Sequence, residues 1–455
     1  MFIKPEIIDS LLDQKAPLRQ EVETILAKSL NLERLSLEDV ATLLRVTRPA
    51  DIARIWDMAG QVKELIYGKR VVIFAPLYIS NLCKNNCAYC AFRADNRGVT
   101  RKALSQNEIA AETLALLKTG QKRVLLVAGE DYPHDGLDYI LDSIKTVYAV
   151  SDGNNRIRRI NVNIAPLDQK DFKRLLASDI GTYQLFQETY HPETYAQLHT
   201  KGPKSDYAFR LNSMDRAIES GFQDVGIGAL FGLYDHRFEV LALMQHIEHL
   251  ESTFGLGPHT LSVPRLEPAE GSSIAENPPF PIDDTTFKTL IAILRLAVPY
   301  TGIILSTRET AAIRQDALNL GVSQISAGSK TNPGGYSDDA ATEQFSLGDT
   351  RPLDEVIADI CEKGHIPSFC TGCYRLGRTG TDFMDQAKPG DIKSKCLPNA
   401  LFTFEEYLQD YAAPSTKAMG RILIDRSMRD IPSALKDKTQ KALNKIRGGK
   451  RDIYV

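Results

Sequence analysis

Six of the seven cysteines in this chain fall into two triads, and their spacing is the feature most able to do chemistry. Cys83, Cys87 and Cys90 lie in Ser80-Asn81-Leu82-Cys83-Lys84-Asn85-Asn86-Cys87-Ala88-Tyr89-Cys90, a Cys-x3-Cys-x2-Cys run that converges three thiolates from one short loop. A 4Fe–4S cubane has four irons, so three thiolates leave one iron without a protein ligand. That open iron can chelate a small molecule through an amine and a carboxylate. Zinc prefers four ligands in paired loops, and no fourth Cys or His is near in sequence. Disulfides do not suit three cysteines crowded into one loop of a chain with cytosolic character.

Cys370, Cys373 and Cys396 form a second set, Cys-x2-Cys-x22-Cys. Three ligands again suggest a cluster with an open iron, and a zinc site completed by His365 is the competing reading. Cys361 has no partner and reads as a buried thiol. His246 and His249, at i and i+3, could pair on a metal, but no carboxylate pattern completes a site, so they read as an exposed helix face.

Elements able to hold these groups follow from periodicity. Residues 1–68 read as a helical extension, with Leu11, Leu12, Leu26, Leu30, Leu32, Leu35 and Leu43 recurring at roughly helical spacing. From Val71 the pattern changes to short β-branched runs, at 71–77, 123–128, 159–165, 181–187, 223–229, 259–264, 302–306 and 323–328. Helix-like segments separate most of them, and 105–118 opens with the capping box Ser105-x-x-Glu108. The chain is therefore expected to be α/β, with a (β/α)8 TIM-type barrel over 69–335 and its chemistry at the C-terminal strand ends. After about Gly335, the residues Asp338, Asp339, Gly348, Pro352, Pro367, Gly377, Gly380 and Pro389 predict loops and short helices. The expected third unit is a cluster-binding subdomain over 336–455.

Bulk properties exclude some function classes. A chain of 455 residues can bury one large core plus appendages. A net charge of −3 argues against nucleic acid as a partner, and the short basic tail (Lys445, Arg447, Lys450, Arg451) reads as a solvated end. No stretch approaches the ~20 apolar residues of a membrane span, and the first residues lack the pattern of a signal peptide. With thiolate chemistry in a reducing compartment, the expected location is cytoplasmic.

The first triad, with the aromatic Tyr89 before its last cysteine, resembles the radical S-adenosylmethionine (SAM) superfamily. That resemblance implies that the open iron binds the methionyl end of SAM and that electron transfer releases a 5′-deoxyadenosyl radical. Ala128-Gly129-Glu130 resembles the Gly-Gly-Glu motif that binds the SAM amine, with Ala128 replacing the first glycine. Phe186-Gln187-Glu188-Thr189-Tyr190 resembles a segment of the biotin synthase branch, which implies that Glu188 accepts from the ribose hydroxyls. Arg210 matches the residue that pairs with the SAM carboxylate, a task suited to bidentate guanidinium geometry. Gly226-Ile227-Gly228-x3-Gly232 is one residue longer than a dinucleotide fingerprint and is similar instead to the fifth radical SAM strand, along the adenosine.

Both triads together, with the segments 257–265, 306–309 and 321–328, resemble the tyrosine-cleaving maturases of FeFe-hydrogenase over essentially the whole chain. The resemblance implies cleavage of the tyrosine Cα–Cβ bond to p-cresol and dehydroglycine. It further implies conversion of dehydroglycine to carbon monoxide and cyanide on a second cluster with an additional dangler iron, which His259 helps to hold. The product would be an iron–carbonyl–cyanide synthon. Implied partners are L-tyrosine and SAM as substrates, an electron donor of the ferredoxin or flavodoxin type, and other hydrogenase maturases. Arg308, past the seventh strand, could clamp the amino-acid carboxylate, with Ser306 adding a hydrogen bond. A thiazole-forming tyrosine lyase would lack the second ligand set, and a non-catalytic iron–sulfur scaffold would need no SAM pocket.

Overall fold

The computed structural model describes residues 1–133, 136–337 and 342–455; Asp338 and Asp339 lie outside them. The leucine-rich N-terminus forms four helices, α1 (Pro5–Leu12), α2 (Arg19–Leu30), α3 (Leu37–Leu44) and α4 (Pro49–Tyr67). Ser36 and Asp39 cap α3 reciprocally, and Pro49 opens α4 where a missing N–H costs nothing. Buried Ile55, Ala59, Val62 and Ile66 fix α4 against the helices Asp284–Ala297 and Ala311–Leu320 of the next unit.

That unit is the expected barrel. Its strands are β1 (Arg70–Ser80), β2 (Arg123–Ala128), β3 (Arg159–Asn163), β4 (Tyr183–Gln184), β5 (Val225–Gly228), β6 (Thr260–Ser262), β7 (Gly302–Leu305) and β8 (Gln324–Ser326). Each pairs in parallel with the next, and β8 returns to β1 through Val72↔Gln324, Ile73↔Ile325 and Phe74↔Ser326, closing the ring. Strand β1 shows how the sequence builds this wall. Val71, Ile73, Ala75, Leu77 and Ile79 are all fully buried beneath the helices. Their neighbours Arg70, Val72, Phe74, Pro76 and Tyr78 line cavities in the interior. The twofold side-chain period of a strand requires this division, and covering on both faces explains the near-continuous apolar run. Ser105 caps the helix Gln106–Lys118 as the sequence predicts, accepting from Glu108 N while Glu108 accepts from Ser105 N.

The C-terminal region differs from expectation. A ninth strand, β9 (Ile366–Ser368), pairs with the beginning of β1 through Arg70↔Ile366, so the chain returns to the barrel wall. Beyond it run three substantial helices, Ile392–Asp410, Pro414–Ser427 and Ser433–Arg447, rather than loops and short helices. The basic tail is not free in solvent either: Arg447 pairs with Glu405 and Arg451 with Asp410. Among the described residues, no helix is long and apolar enough to cross a membrane.

Candidate functional site

The first triad sits where β1 ends. Eleven residues make β1 long enough to lift the following loop over the barrel mouth. Asn81 anchors that loop, its N–H and Nδ2 donating to Lys102 O at 3.0 Å and Thr100 O at 2.8 Å. Arg101 donates to the carbonyls of Asn81, Phe92, Arg93 and Asn96, tying both ends of the loop together. Gly129 at the end of β2 packs directly on this loop: a Cβ there would lie 2.2 Å from Leu82 O. Cys83, Cys87 and Cys90 all line one cavity, with Ala128, Gly129, Glu130, Glu188, Arg210, Ser306 and Arg308 around it. Tyr89 lines it too, its hydroxyl 2.8 Å from His199 Nε2.

Beside the thiols lies a buried network of alternating charge. Arg210 donates to Glu130 at 2.8 Å and to Phe186 O at 2.8 Å, and approaches Glu188 at 3.6 Å. Lys204 reaches Glu188 at 2.7 Å. Burial opposes charge on both carboxylates, but Arg210 and Lys204 hold them below the usual range. Arg210 is 4 % exposed, so it is not a surface helix charge. Glu188 has φ +72°, a left-handed backbone rarely adopted outside glycine. Strain of this kind persists where surrounding structure over-determines it, commonly at ligand sites. Burial pushes the thiols of Cys83 and Cys90 up, so an iron cluster or nearby cations must stabilise their thiolates. The donor set therefore fits a three-thiolate cubane beside a zwitterionic ligand. Lys204 and Arg101 were not marked by any motif.

Ser306 and Arg308 both line the cavity, and Arg308 N donates to Ser306 Oγ at 3.4 Å within their loop. The Arg308 guanidinium lies over the Phe345 ring, 3.2 Å from its centroid, and no ion pair among the described residues involves it.

The second triad closes the opposite end of the barrel. Cys370 follows β9 directly, and Cys370, Cys373 and Cys396 line a chamber with Arg70, Val72, Arg123, His259 and Gln324. These barrel residues lie just before or within the first three residues of their strands, so the triad plugs the barrel base instead of forming a detached site. Arg123 holds the loop by donating to Cys370 O at 2.9 Å. The neighbouring Cys396 sulfur pushes the Cys373 thiol up, and Cys373 in turn draws Cys396 down. His259 Nδ1 lies 3.3 Å from Asp224 Oδ1 without the alignment of a hydrogen bond, which leaves a buried ring nitrogen without a partner. An imidazole lining the same chamber as three thiols fits a metal ligand.

Two histidine readings are corrected. His365 turns away from the triad, with ring nitrogens at Lys63 and Asn319, so it cannot complete a zinc site there. His246 is buried and bonded to Tyr190, while His249 meets Asp215 and stacks on Phe2. Neither belongs to an exposed face. Among the described residues no three His, Cys, Asp or Glu groups are gathered tightly enough for a single ion. Ligands of a cubane stand on separate irons and are spaced more widely.

A closed parallel barrel with a Cys-x3-Cys-x2-Cys loop at its mouth defines the radical SAM class, and residues 77–247 match the radical SAM superfamily model. Residues 262–366 match the biotin and thiamin synthesis associated domain. The chain is 33 % identical over 353 residues to the 2-iminoacetate synthase of Salmonella typhimurium, covering 77 % of this chain and 91 % of that protein. A crystal structure of HydG, described as a maturase of the FeFe-hydrogenase, superposes with a TM-score of 0.97 at 46 % identity, covering 100 % of both chains. The FeFe-hydrogenase maturase HydG from Carboxydothermus hydrogenoformans gives a TM-score of 0.84 at 41 % identity, over 97 % of this chain and 96 % of that one. The chain belongs to the radical SAM superfamily and, within it, to the HydG maturase family. Membership implies a 4Fe–4S cluster and SAM.

Proposed function

We propose that this chain is a radical SAM tyrosine lyase that splits L-tyrosine into p-cresol and dehydroglycine, and that its second triad supports conversion of dehydroglycine to carbon monoxide and cyanide on iron. The observation that carries this reading is the placement of two thiol triads at opposite ends of one barrel interior. A scaffold has no use for a charged, strained ligand pocket beside its thiols. A thiazole-type lyase has no use for the lower triad.

In this reading Cys83, Cys87 and Cys90 hold the first cluster, which supplies the deoxyadenosyl radical when SAM is bound. The chain's own groups bind and orient. Arg210 and Lys204 present cations to the SAM carboxylate, Glu130 takes the amine, and Glu188 takes the ribose hydroxyls. Tyr89, Ala128 and Gly129 complete the SAM wall. Arg308 clamps the tyrosine carboxylate, with Ser306 alongside, because a half-buried guanidinium on the cavity wall that forms no close ion pair among the described residues is free to take a carboxylate in bidentate fashion. Enclosure excludes water that would quench reactive fragments. Cys370, Cys373, Cys396 and His259 hold the second cluster and its additional iron. Support comes also from the 2-iminoacetate synthase relatives, since 2-iminoacetate is dehydroglycine by another name. A ferredoxin- or flavodoxin-type donor and other hydrogenase maturases are the proposed partners.

The test is anaerobic reconstitution with iron, sulfide, SAM, dithionite and tyrosine. Formation of p-cresol with cyanide and carbon monoxide supports the whole reading. If p-cresol forms alone, the thiazole-type alternative replaces it. Absence of SAM cleavage in protein with a full cluster would leave the scaffold.

A further inference from the structure

One contact to the first triad comes from far along the chain. Gln344 Nε2 lies 3.8 Å from Cys90 Sγ, within reach of an N–H···S hydrogen bond. The amide cannot easily turn, because Tyr78 Oη donates to Gln344 Oε1 at 2.7 Å. In that bond the phenol donates, since an amide oxygen has no proton to give. With Oε1 so occupied, the NH2 group faces the sulfur. The backbone holds this pose: Gln344 N donates to Thr331 O at 3.0 Å and Ser346 N to Pro268 O at 2.9 Å. Phe345, next in sequence, is buried in the same apolar cluster as Tyr78, Cys87, Tyr89 and Phe92. Its ring also carries the Arg308 guanidinium.

We propose that Gln344, aimed by Tyr78 and locked by Phe345, is a positioning residue that sets the reduction potential of the barrel cluster through a hydrogen bond to the Cys90 thiolate. Reduction adds one electron, and much of its charge falls on the cluster and thiolate sulfurs. A donor to sulfur therefore stabilises the reduced form more than the oxidised one and raises the potential. The inference rests on the barrel cluster alone, so it stands or falls separately from the identity of the substrate.

The experiment is a mediated redox titration, followed by electron paramagnetic resonance, of reconstituted full-length protein without SAM. Gln344→Leu keeps the volume and removes the donor. Its barrel-cluster potential should shift negative by at least threefold in the reduction equilibrium, or ~28 mV at about 59 mV per tenfold for one electron. Gln344→Glu places an anion at the sulfur and should shift further in the same direction. Tyr78→Phe frees the amide to rotate and should give a smaller negative shift. The second cluster serves as an internal reference and should not move. A general packing defect would lower cluster content without a signed shift confined to one centre. Unchanged or more positive potentials in whichever of these variants retain the cluster would overturn the proposal.

Discussion

Gly129→Ala is the smallest change that should disable the barrel site. Gly129 does not occupy the left-handed region, so alanine can adopt its backbone, and any effect arises from contact alone. The added Cβ would lie 2.2 Å from Leu82 O, 3.0 Å from Leu82 C and 3.1 Å from Asn81 C. Ordinary contact begins near 3.4 Å, so the loop must retreat by about 1.2 Å. Every clashing atom is backbone, and rotamer change cannot relieve it. Leu82 O also accepts from Asp131 N at 3.1 Å, and Gly129 N donates to Ser80 O at 2.8 Å, so retreat strains or breaks a bond on each side. Overpacking of this kind costs about 1–3 kcal/mol, and each lost hydrogen bond adds about 1 kcal/mol. Cys83 is the next residue, so it moves with the loop, and a misplacement of ~1 Å can cost on the order of 100-fold in rate. The assay is SAM cleavage per barrel cluster, with iron content measured on the same sample. Cleavage within about threefold of the parent at full cluster content would refute the argument that this glycine fixes the cluster loop.

Four further outcomes follow from the geometry. Replacing Cys83, Cys87 and Cys90 together with alanine should abolish SAM cleavage while the second cluster's paramagnetic signal remains; retained cleavage would remove the assignment. Cys370→Ala with Cys373→Ala should still yield p-cresol while carbon monoxide falls sharply, and loss of p-cresol in folded protein with an intact first cluster would end the division of labour. Arg308→Leu should weaken tyrosine binding at least tenfold more than SAM binding in equilibrium titrations, whereas equal losses would mark a structural role. Burial pushes the Glu239 carboxyl up to about 8, against the pull of bonds from Thr189 and Tyr190 N. Between its ordinary value of 4.5 and 8 the folded protein keeps a proton that the unfolded chain releases, so stability contributed by this group is full below 4.5 and lost as pH rises towards 8. Glu239→Gln should lack that decline in thermal unfolding between pH 5 and pH 8, and parallel profiles for the two proteins would count against it.

What could be read from the sequence was whatever depends on near neighbours. Cysteine spacing, the Ser105 capping box and the β-branched strand runs are local, and the first triad, the helix cap and all eight barrel strands lie where they point, whereas the second triad meets the barrel base through contacts distant in sequence. Lys204 was hidden because Lys201-Gly202-Pro203-Lys204 has the composition of a solvated loop. Only folding brings its N–H to Asn85 Oδ1 at 2.8 Å and its ammonium to Glu188. Arg101 is equally ordinary in sequence, since its partners are carbonyls, which carry no residue signature. His246 and His249 misled because burial of their helix depends on Phe2 and Tyr190 from distant segments. Glycine and proline punctuation between 348 and 390 suggested loops throughout the C-terminal region. It ends before the helix Ile392–Asp410, which even holds Pro398 in its interior.

Strand β1 explains why two sites at opposite ends can belong to one machine. Its inward face presents Arg70 and Val72 to the lower chamber and Phe74, Pro76 and Tyr78 to the upper cavity. Arg70 to Tyr78 spans eight residues of rise, or ~26 Å. Both sites therefore depend on one register. A slip of one residue would turn Arg70 and Tyr78 out toward the helices and bring Val71, Ile73 and Ala75 inside. Pairing of β1 with β2, β8 and β9 resists that slip, and β9 is the strand that delivers Cys370. The element that lifts the first cluster loop over the barrel mouth is thus hydrogen-bonded to the element that positions the second. Geometry at the two triads is set by one continuous piece of sheet, which suits the proposed division between making a reactive fragment at one end and capturing it at the other.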